Sequence, residues 1–172
     1  MAEALARISQ IDGLGMIQIR ADLDRAGDAI AGAAGLAIPA RGATTSDGSR
    51  RLGWMSPDEL LLVLPRAELA PALAALTDAL AGEHALLADV SDMRAAFRIE
   101  GARALQVLEK LCPTELASLP VDGLRRTRAA QAACAIWREP QGYVLIGFRS
   151  ITDYLRGILT GAAMPGSHLE PR

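Results

Sequence analysis

The alternation of apolar and polar positions is clearest near the middle of the chain, in residues 88–110. From Met93 onward, apolar side chains fall on alternate positions up to Ile99, with Arg94, Arg98 and Glu100 on the positions between, which is the period of a half-buried strand. Gly101 interrupts the alternation. Beyond it, apolar residues recur at helical spacing until the chain reaches Pro113, so the pattern changes to that of an amphipathic helix. The segment therefore predicts a strand, a tight glycine turn and a helix.

The same two patterns, alternation for strands and helical spacing for helices, predict the other elements. Before the central segment they predict, in order, a strand at 15–20, a helix at 21–34 capped by Asp22, a loop at 41–50, a hairpin at 51–64, a helix at 66–81 and a strand at 85–90. The second arm of the hairpin, 59–64, is apolar enough to be buried on both faces.

The part of the chain after the central segment predicts fewer elements. They are one long extended strand at 126–139, a turn at 140–142, a strand at 143–148 and a helix at 150–161. The helix is expected to bury one apolar stripe, made of Ile151, Tyr154, Leu155, Ile158 and Leu159.

The two hairpin regions share a spacing. Trp54 lies 12 residues before Arg66, and Trp137 lies 12 residues before Arg149, with a proline three residues after each tryptophan. Both parts of the chain therefore follow the order strand, helix, hairpin, helix, which is that of a ferredoxin-like unit. The tryptophans are predicted to pack on the strands rather than to stack on a ligand.

This repetition predicts an α+β fold in which two ferredoxin-like units form one pseudo-duplicated domain. Residues 1–87 are expected to form the first half, residues 88–162 the second half, and residues 163–172 a flexible tail. The 172 residues are sufficient for a substantial core, and 51% apolar against 22% charged residues is typical of a folded protein.

Net charge and the lack of targeting features exclude several classes of protein. The net charge of −2 excludes a general nucleic-acid binder, because such a protein needs a basic face to neutralise phosphates. The first residues lack the basic start and the apolar core of a secretory signal, and no apolar run is long enough to span a bilayer. A cytoplasmic protein that does not bind membranes is expected.

Candidate reactive residues are few. Cys112 and Cys134 are expected to be reduced thiols in or near the core, and His84 and His168 are too isolated to build a metal site. The lone Gly101 does not make a phosphate-binding loop, which needs several glycines. The sequence therefore assigns no catalytic, cofactor-binding or metal-ligating residue.

Two clusters of charge remain as candidates. Asp89 and Asp92, in the sequence DVSD, could form a catalytic carboxylate pair, although a role in capping or bridging a turn is favoured. Arg125, Arg126 and Arg128 could bind a phosphate or carboxylate group, and the favoured interpretation is a solvated or subunit-facing strand edge.

Several motifs occur together and in order: WMSPDELLLVLP, then DVSD before a strand, G-x-x-A-x-x-x-L on the following helix, C-P after it, an R-T start to the long strand, and R-S-x-x-x-Y-L at the last helix. Over most of its length the chain thus resembles the gamma subunits of heterotetrameric sarcosine oxidases. The resemblance implies a fold similar to the folate-binding domains of aminomethyltransferases.

The resemblance also implies a non-catalytic structural role. The alpha, beta and delta subunits would be the partners, and they would hold FAD, FMN, NAD and tetrahydrofolate and oxidise sarcosine to glycine with hydrogen peroxide as product. An alternative is a free-standing folate-binding or aminomethyl-transfer protein that uses Asp89 or Asp92 with Arg98. A third is a homo-oligomeric module with an unrelated partner. The isolated chain is expected to be a monomer or a homodimer.

Overall fold

The computed structural model describes residues 3–167 and Leu169, and within them it shows an α+β protein with two five-stranded antiparallel sheets. In chain order the strands and helices are β1 Arg7–Ile11, β2 Leu14–Arg20, α1 Leu23–Ala34, β3 Thr44–Ser46, β4 Arg51–Ser56, β5 Glu59–Pro65, α2 Leu69–Ala79, β6 Leu86–Asp89, β7 Arg94–Glu100, α3 Ala104–Glu109, β8 Leu124–Ala129, β9 Ala132–Glu139, β10 Gly142–Phe148 and α4 Thr152–Ala162.

The chain divides into two compact units. The first unit is Gly13–Asp92, and the second unit combines Met1–Asp12 with Met93–Arg172. The sheet of the first unit has the strand order β3-β4-β5-β2-β6, and the sheet of the second unit has the order β1-β7-β10-β9-β8. Each unit has its own apolar core between helices and one face of its sheet.

Helix α1 of the first unit begins and ends as its sequence predicts. The Asp22 carboxylate caps the helix by accepting a hydrogen bond from the backbone N–H of Asp24 at 3.1 Å. Gly35 ends the helix in a left-handed conformation, with φ 70°, and its N–H donates to the carbonyl of Ala31. Ile30 on the buried face packs in the core of the unit. The predicted cap is confirmed.

The predicted hairpin of the first unit is also confirmed. Strands β4 and β5 pair through a turn at Pro57 and Asp58. Strand β5 is buried along six of its seven residues, as expected for a strand that is covered on both faces.

Helix α4 of the second unit buries a narrower stripe than predicted. Leu155 and Leu159 are fully buried, and Ile151 and Ile158 are half-buried against the same core. The prediction that Tyr154 is buried is wrong, since its side chain is 45% exposed. The sheet covers only the stripe centred on Leu155 and Leu159, and a neighbouring position, turned about 100° around the helix, faces solvent.

The prediction of one long strand at 126–139 is wrong, because β8 and β9 form a hairpin in this region. The chain turns at Ala130 and Gln131, and Ala130 has a positive φ of 50°. Such turns normally contain glycine, asparagine or aspartate. Here a tertiary contact supports the turn, since the N–H of Ala130 donates to the carbonyl of Leu111 at 2.7 Å.

Two short strands have no counterpart in the sequence prediction. Strand β1 pairs along its full length with β7, and β3 lies in the predicted loop at 41–50. The sequence-based division into 1–87 and 88–162 places β1 in the first half, whereas its hydrogen bonds join it to the sheet of the second unit. Both are edge strands. They are strands because a neighbouring strand pairs with them, and their sequences show no strong alternation of apolar and polar residues.

The predicted tail, 163–172, falls partly outside the described residues. Within the described part, the ammonium group of Lys110 donates hydrogen bonds to the carbonyl of Ala162 and to the carbonyl of Ser167, the latter at 2.6 Å. The same group donates to the Ser167 hydroxyl at 3.0 Å. Lys110, the only lysine of the chain, thus connects α3 to the end of α4.

Candidate functional site

The first carboxylate of the sequence DVSD is part of a local hydrogen-bond network at the end of β6. Asp89 accepts hydrogen bonds from the backbone N–H of Ser91 at 2.9 Å and from its hydroxyl at 2.5 Å. The same hydroxyl oxygen accepts a hydrogen bond from the backbone N–H of Met16 at 2.9 Å. Next to it, the N–H of Val90 donates to the Met16 carbonyl at 2.9 Å. Asp89 therefore orients a buried hydroxyl that fastens the segment after β6 to β2.

The second carboxylate has a different partner. The two oxygens of Asp92 accept hydrogen bonds from the two terminal nitrogens of Arg66, at 3.3 and 3.0 Å. The hydrogen bond to Asp92 raises the pKa of Arg66. The geometry is that of a forked arginine–carboxylate pair. Asp89 and Asp92 thus each hold a separate piece of the turn that follows β6, which is the role favoured from the sequence.

Ser91 is the residue of this cluster that sequence reasoning missed, and it offers a direct test. We expect Ser91→Ala to lower the free energy of unfolding by about 1–3 kcal/mol, because the buried N–H of Met16 then loses its acceptor. Urea unfolding at neutral pH measures the change. The exposed Ser150→Ala is the control, with an expected change within about 0.5 kcal/mol. Equal values for the two variants would contradict this role of Ser91.

Arg98, the third residue of the folate alternative, has neighbours of its own in the second unit. Its Nε lies 3.5 Å from a carboxylate oxygen of Glu139. The other oxygen of Glu139 accepts a hydrogen bond from the indole of Trp137 at 3.3 Å. Asp89 and Asp92 belong to the first unit. The local contacts of Arg98 therefore explain its position within its own sheet.

The tryptophans have the packing role that the sequence predicts. Trp137 is buried in β9. Trp54 is half-buried against the core of the first unit, and the guanidinium of Arg41 lies 5.8 Å from the centre of its ring. Both side chains are thus occupied by contacts within the protein.

The arginine run lies on β8, and the structure divides it between two faces of the sheet. Arg125 pairs with Ile136, whose side chain is in the core beneath the helices. Arg126 and Arg128 occupy the alternate positions of the strand, so they project from the opposite face. All three are exposed, and β8 is at the edge of its sheet. They form a charged edge rather than one convergent pocket.

The two thiols are buried in the core of the second unit, as predicted. Burial raises the pKa of Cys112 to about 11. Burial, together with the proximity of Cys112, raises the pKa of Cys134 to about 12. Both thiols are therefore protonated at neutral pH, and a protonated thiol is a poor nucleophile and a poor metal ligand.

The histidines do not build a site in the part of the chain that the structure covers. His84 is exposed in the loop between α2 and β6, and His168 lies outside the described residues. Among the described residues, no group of three or more histidine, cysteine, aspartate or glutamate side chains could hold a metal ion. No helix of residues 3–167 is both long enough and apolar enough to cross a membrane.

A large cleft lies in the first unit, with a volume of about 860 Å³, between the end of β2, the start of α1 and the loop before β6. Its guanidinium groups are already paired within the cleft. Arg20 contacts Asp58 at 2.6 Å, and Arg25 contacts Glu83 at 3.3 Å. The hydrogen bond from Arg20 lowers the pKa of Asp58. The cleft therefore presents internal ion pairs to solvent.

Comparison with known families matches residues 20–164 to the sarcosine oxidase, gamma subunit family. The chain belongs to this family. A curated relative, the sarcosine oxidase subunit gamma of Corynebacterium sp. (strain U-96), is 33% identical over 132 residues, which is 73% of this chain and 63% of the relative. The chain thus spans a little under two thirds of that relative's length.

One solved structure agrees with the family assignment, and a second shares the fold. A chain of the heterotetrameric sarcosine oxidase from Corynebacterium sp. U-96, in complex with pyrrole 2-carboxylate, matches with a TM-score of 0.88 and 26% identity, over 97% of this chain and 88% of that chain. The glycine cleavage system aminomethyltransferase T from Bartonella henselae matches with a TM-score of 0.71 and 15% identity, over 93% of this chain and 46% of that chain. The second match shows a shared fold alone.

Proposed function

We propose that this chain is a non-catalytic structural subunit of a heterotetrameric sarcosine oxidase. In this complex the alpha, beta and delta subunits would oxidise sarcosine to glycine and produce hydrogen peroxide. The observation that carries the proposal is the match to a chain of the heterotetrameric enzyme, with a TM-score of 0.88 over 97% of this chain. A likeness along the whole fold is what a subunit of the same kind of assembly would have.

The candidate side chains support a structural role. Asp89 and Asp92 hold the turn after β6, and the pKa values of Cys112 and Cys134 are raised far above neutral. Catalysis needs convergent groups with matched pKa values around one reacting atom. FAD, FMN, NAD and tetrahydrofolate would accordingly be bound by the partner subunits, in the cytoplasm.

Reconstitution tests the proposal. The isolated chain should be colourless and should produce no hydrogen peroxide from sarcosine, because the flavins would be bound by other subunits. Co-expression with the alpha, beta and delta subunits should yield one four-chain complex in gel filtration. A flavin absorption band that stays with the isolated chain would contradict the non-catalytic role, and a chain that never joins the other three subunits would refute the subunit assignment.

The two units are proposed to be repeats of one ferredoxin-like design. Strand order supports this, since β3-β4-β5-β2-β6 corresponds position by position to β8-β9-β10-β7-β1. The chain order is also the same: β2-α1-β3-β4-β5-α2 in the first unit and β7-α3-β8-β9-β10-α4 in the second. The last position is filled by β6 in the first unit and by β1 in the second. The two units would thus share one design, except that the second unit takes its last strand from the start of the chain.

A free-standing folate-binding or aminomethyl-transfer protein is the second candidate, and the aminomethyltransferase T fold favours it. Calorimetric titration with tetrahydrofolate distinguishes folate binding from the structural role proposed above. We expect no saturable heat, because Asp92 is paired with Arg66 and Arg98 lies beside Glu139. Micromolar binding that Asp92→Asn abolishes would favour folate binding. Asp92 is 71% exposed, so its replacement tests binding with little effect on folding.

A further inference from the structure

Four strands lie at the edges of the two sheets in the described part of the chain, and β8 is the longest of them. Strand β8 has six residues, against five in β1, four in β6 and three in β3. An edge strand offers unpaired backbone N–H and C=O groups, and another chain can pair with these groups. Length matters because each added residue pair adds backbone hydrogen bonds.

The hairpin fixes which backbone groups of β8 point outward. Its two-residue turn pairs Ala129 with Ala132, and the N–H of Arg138 donates to the carbonyl of Gly123 at 3.0 Å. Hydrogen-bonded and non-hydrogen-bonded pairs alternate in an antiparallel ladder. Residues 125, 127 and 129 therefore bond to β9, and residues 124, 126 and 128 direct their N–H and C=O groups to the open edge.

Positive charge flanks this open edge on both sides. Arg125 projects on the helix side of the sheet, and Arg126 and Arg128 project on the opposite side. All three side chains are exposed. An extended segment paired with β8 alternates its own side chains between the same two faces, so carboxylates at successive positions would meet guanidinium groups on either side. Arginine is suited to such contacts because it binds carboxylates through two parallel hydrogen bonds.

The edge strands β1 and β3 are shorter than β8, and side chains on both make hydrogen bonds within their own units. On β1, Arg7 contacts Glu100 at 2.7 Å, and Gln10 is hydrogen-bonded to Asp12 at 3.1 Å and to Arg156. On β3, the hydroxyl of Thr45 donates to the carbonyl of Ala37 at 2.6 Å. The combination of length, outward backbone groups and charge on both faces therefore favours β8 as the edge that another chain extends.

We propose that β8 extends its sheet by pairing with an extended acidic segment of another subunit of the complex. This inference rests on the proposed function, since the partner is one of the alpha, beta and delta subunits. The carboxylates of the segment would bind Arg125 on one face and Arg126 and Arg128 on the other, while its backbone bonds to the outward groups of residues 124, 126 and 128.

Charge reversal tests the pairing. The alpha, beta and delta subunits, with one of them affinity-tagged, are co-expressed with the wild-type chain or with the R125E/R126E/R128E variant. The control variant R25E/R41E/R103E makes the same charge change at three other exposed arginines. We expect the edge variant to bind at least about tenfold more weakly than the wild type at roughly 0.15 M salt, and the control to bind as the wild type does. Thermal melts of the isolated variants show whether each remains folded.

Hydrogen exchange distinguishes strand pairing from charge attraction alone. The outward-facing amides of β8 should exchange faster in the isolated chain than in the complex, where pairing would protect them. Normal assembly of the edge variant overturns the inference and leaves the proposed function intact. Equal weakening by the control, or assembly without protection of these amides, also overturns it. A wild-type chain that never joins the three subunits refutes the proposed function itself.

Discussion

Gly142→Ala is expected to lower the free energy of unfolding by about 3 kcal/mol or more. Gly142 begins β10 with a φ of 155°, a conformation that residues with a side chain rarely adopt. A Cβ atom at this position would lie 2.1 Å from the carbonyl oxygen of Ile99 in the paired strand β7. The methyl group would meet backbone, so the two central strands of the sheet would have to separate.

Two other glycines separate the cost of backbone strain from the cost of the steric clash. Gly13 has a φ of 73° and open space where a methyl group would lie, so Gly13→Ala reports backbone strain alone, at about 1–2 kcal/mol. Gly157 in α4 also has open space, without a positive φ, and Gly157→Ala should stabilise the chain by about 0.5–1 kcal/mol. Urea unfolding of the three variants gives the comparison. A Gly142→Ala loss no larger than that of Gly13→Ala would show that β7 moves aside at no cost.

Phe97→Ala is expected to lower the free energy of unfolding by about 3–5 kcal/mol. Phe97 is at the centre of β7, between Gln10 of β1 and Leu145 of β10 in the pairing register, and its side chain is fully buried. Truncation removes a large apolar surface and leaves a cavity in the core of the second unit. The surrounding strands are hydrogen-bonded on both sides, so they can close only part of that cavity.

The second phenylalanine of the chain provides a matched control. Phe148 is 40% exposed, and the guanidinium of Arg94 lies 4.6 Å from the centre of its ring. Phe148→Ala makes the same chemical change but should cost only about 1–2 kcal/mol, because much of its side chain is already in solvent and an exposed cation–π contact contributes about 0.5–1 kcal/mol. Thermal and urea unfolding of both variants measure the difference. A similar loss for the two would contradict the central position of Phe97.

The proposed structural role assigns little of the function to single reactive side chains. The side chains that looked reactive in the sequence are engaged in structure, as Asp89 is with Ser91 and as Cys134 is in the core. In that proposal, function is expected at the surface, because a subunit of a larger assembly acts through the edges and faces that it presents. The exposed arginines of β8 are for this reason the most informative residues to alter.

The strongest local signals of the sequence determined a large part of the fold. The cap at Asp22, the hairpin turn at Pro57 and Asp58 and the buried strand β5 all depend on interactions between near neighbours or on apolar content. The two-fold occurrence of tryptophan, proline and arginine at equal spacing placed both hairpins. Joint motifs of this kind also identified the family, since they extend over most of the chain.

The tertiary structure alone decided the features that depend on distant partners. Ala130 can turn the chain because Leu111 accepts its N–H, β1 becomes a strand because β7 is available to it, and Ser91 matters because it binds Met16. The sequence showed a run of three arginines at a strand edge, but pairing with β9 decided that they lie on two faces of an open edge. Local pattern specifies backbone conformation and average burial, whereas a hydrogen-bond partner or an exposed edge exists only after distant segments have packed together.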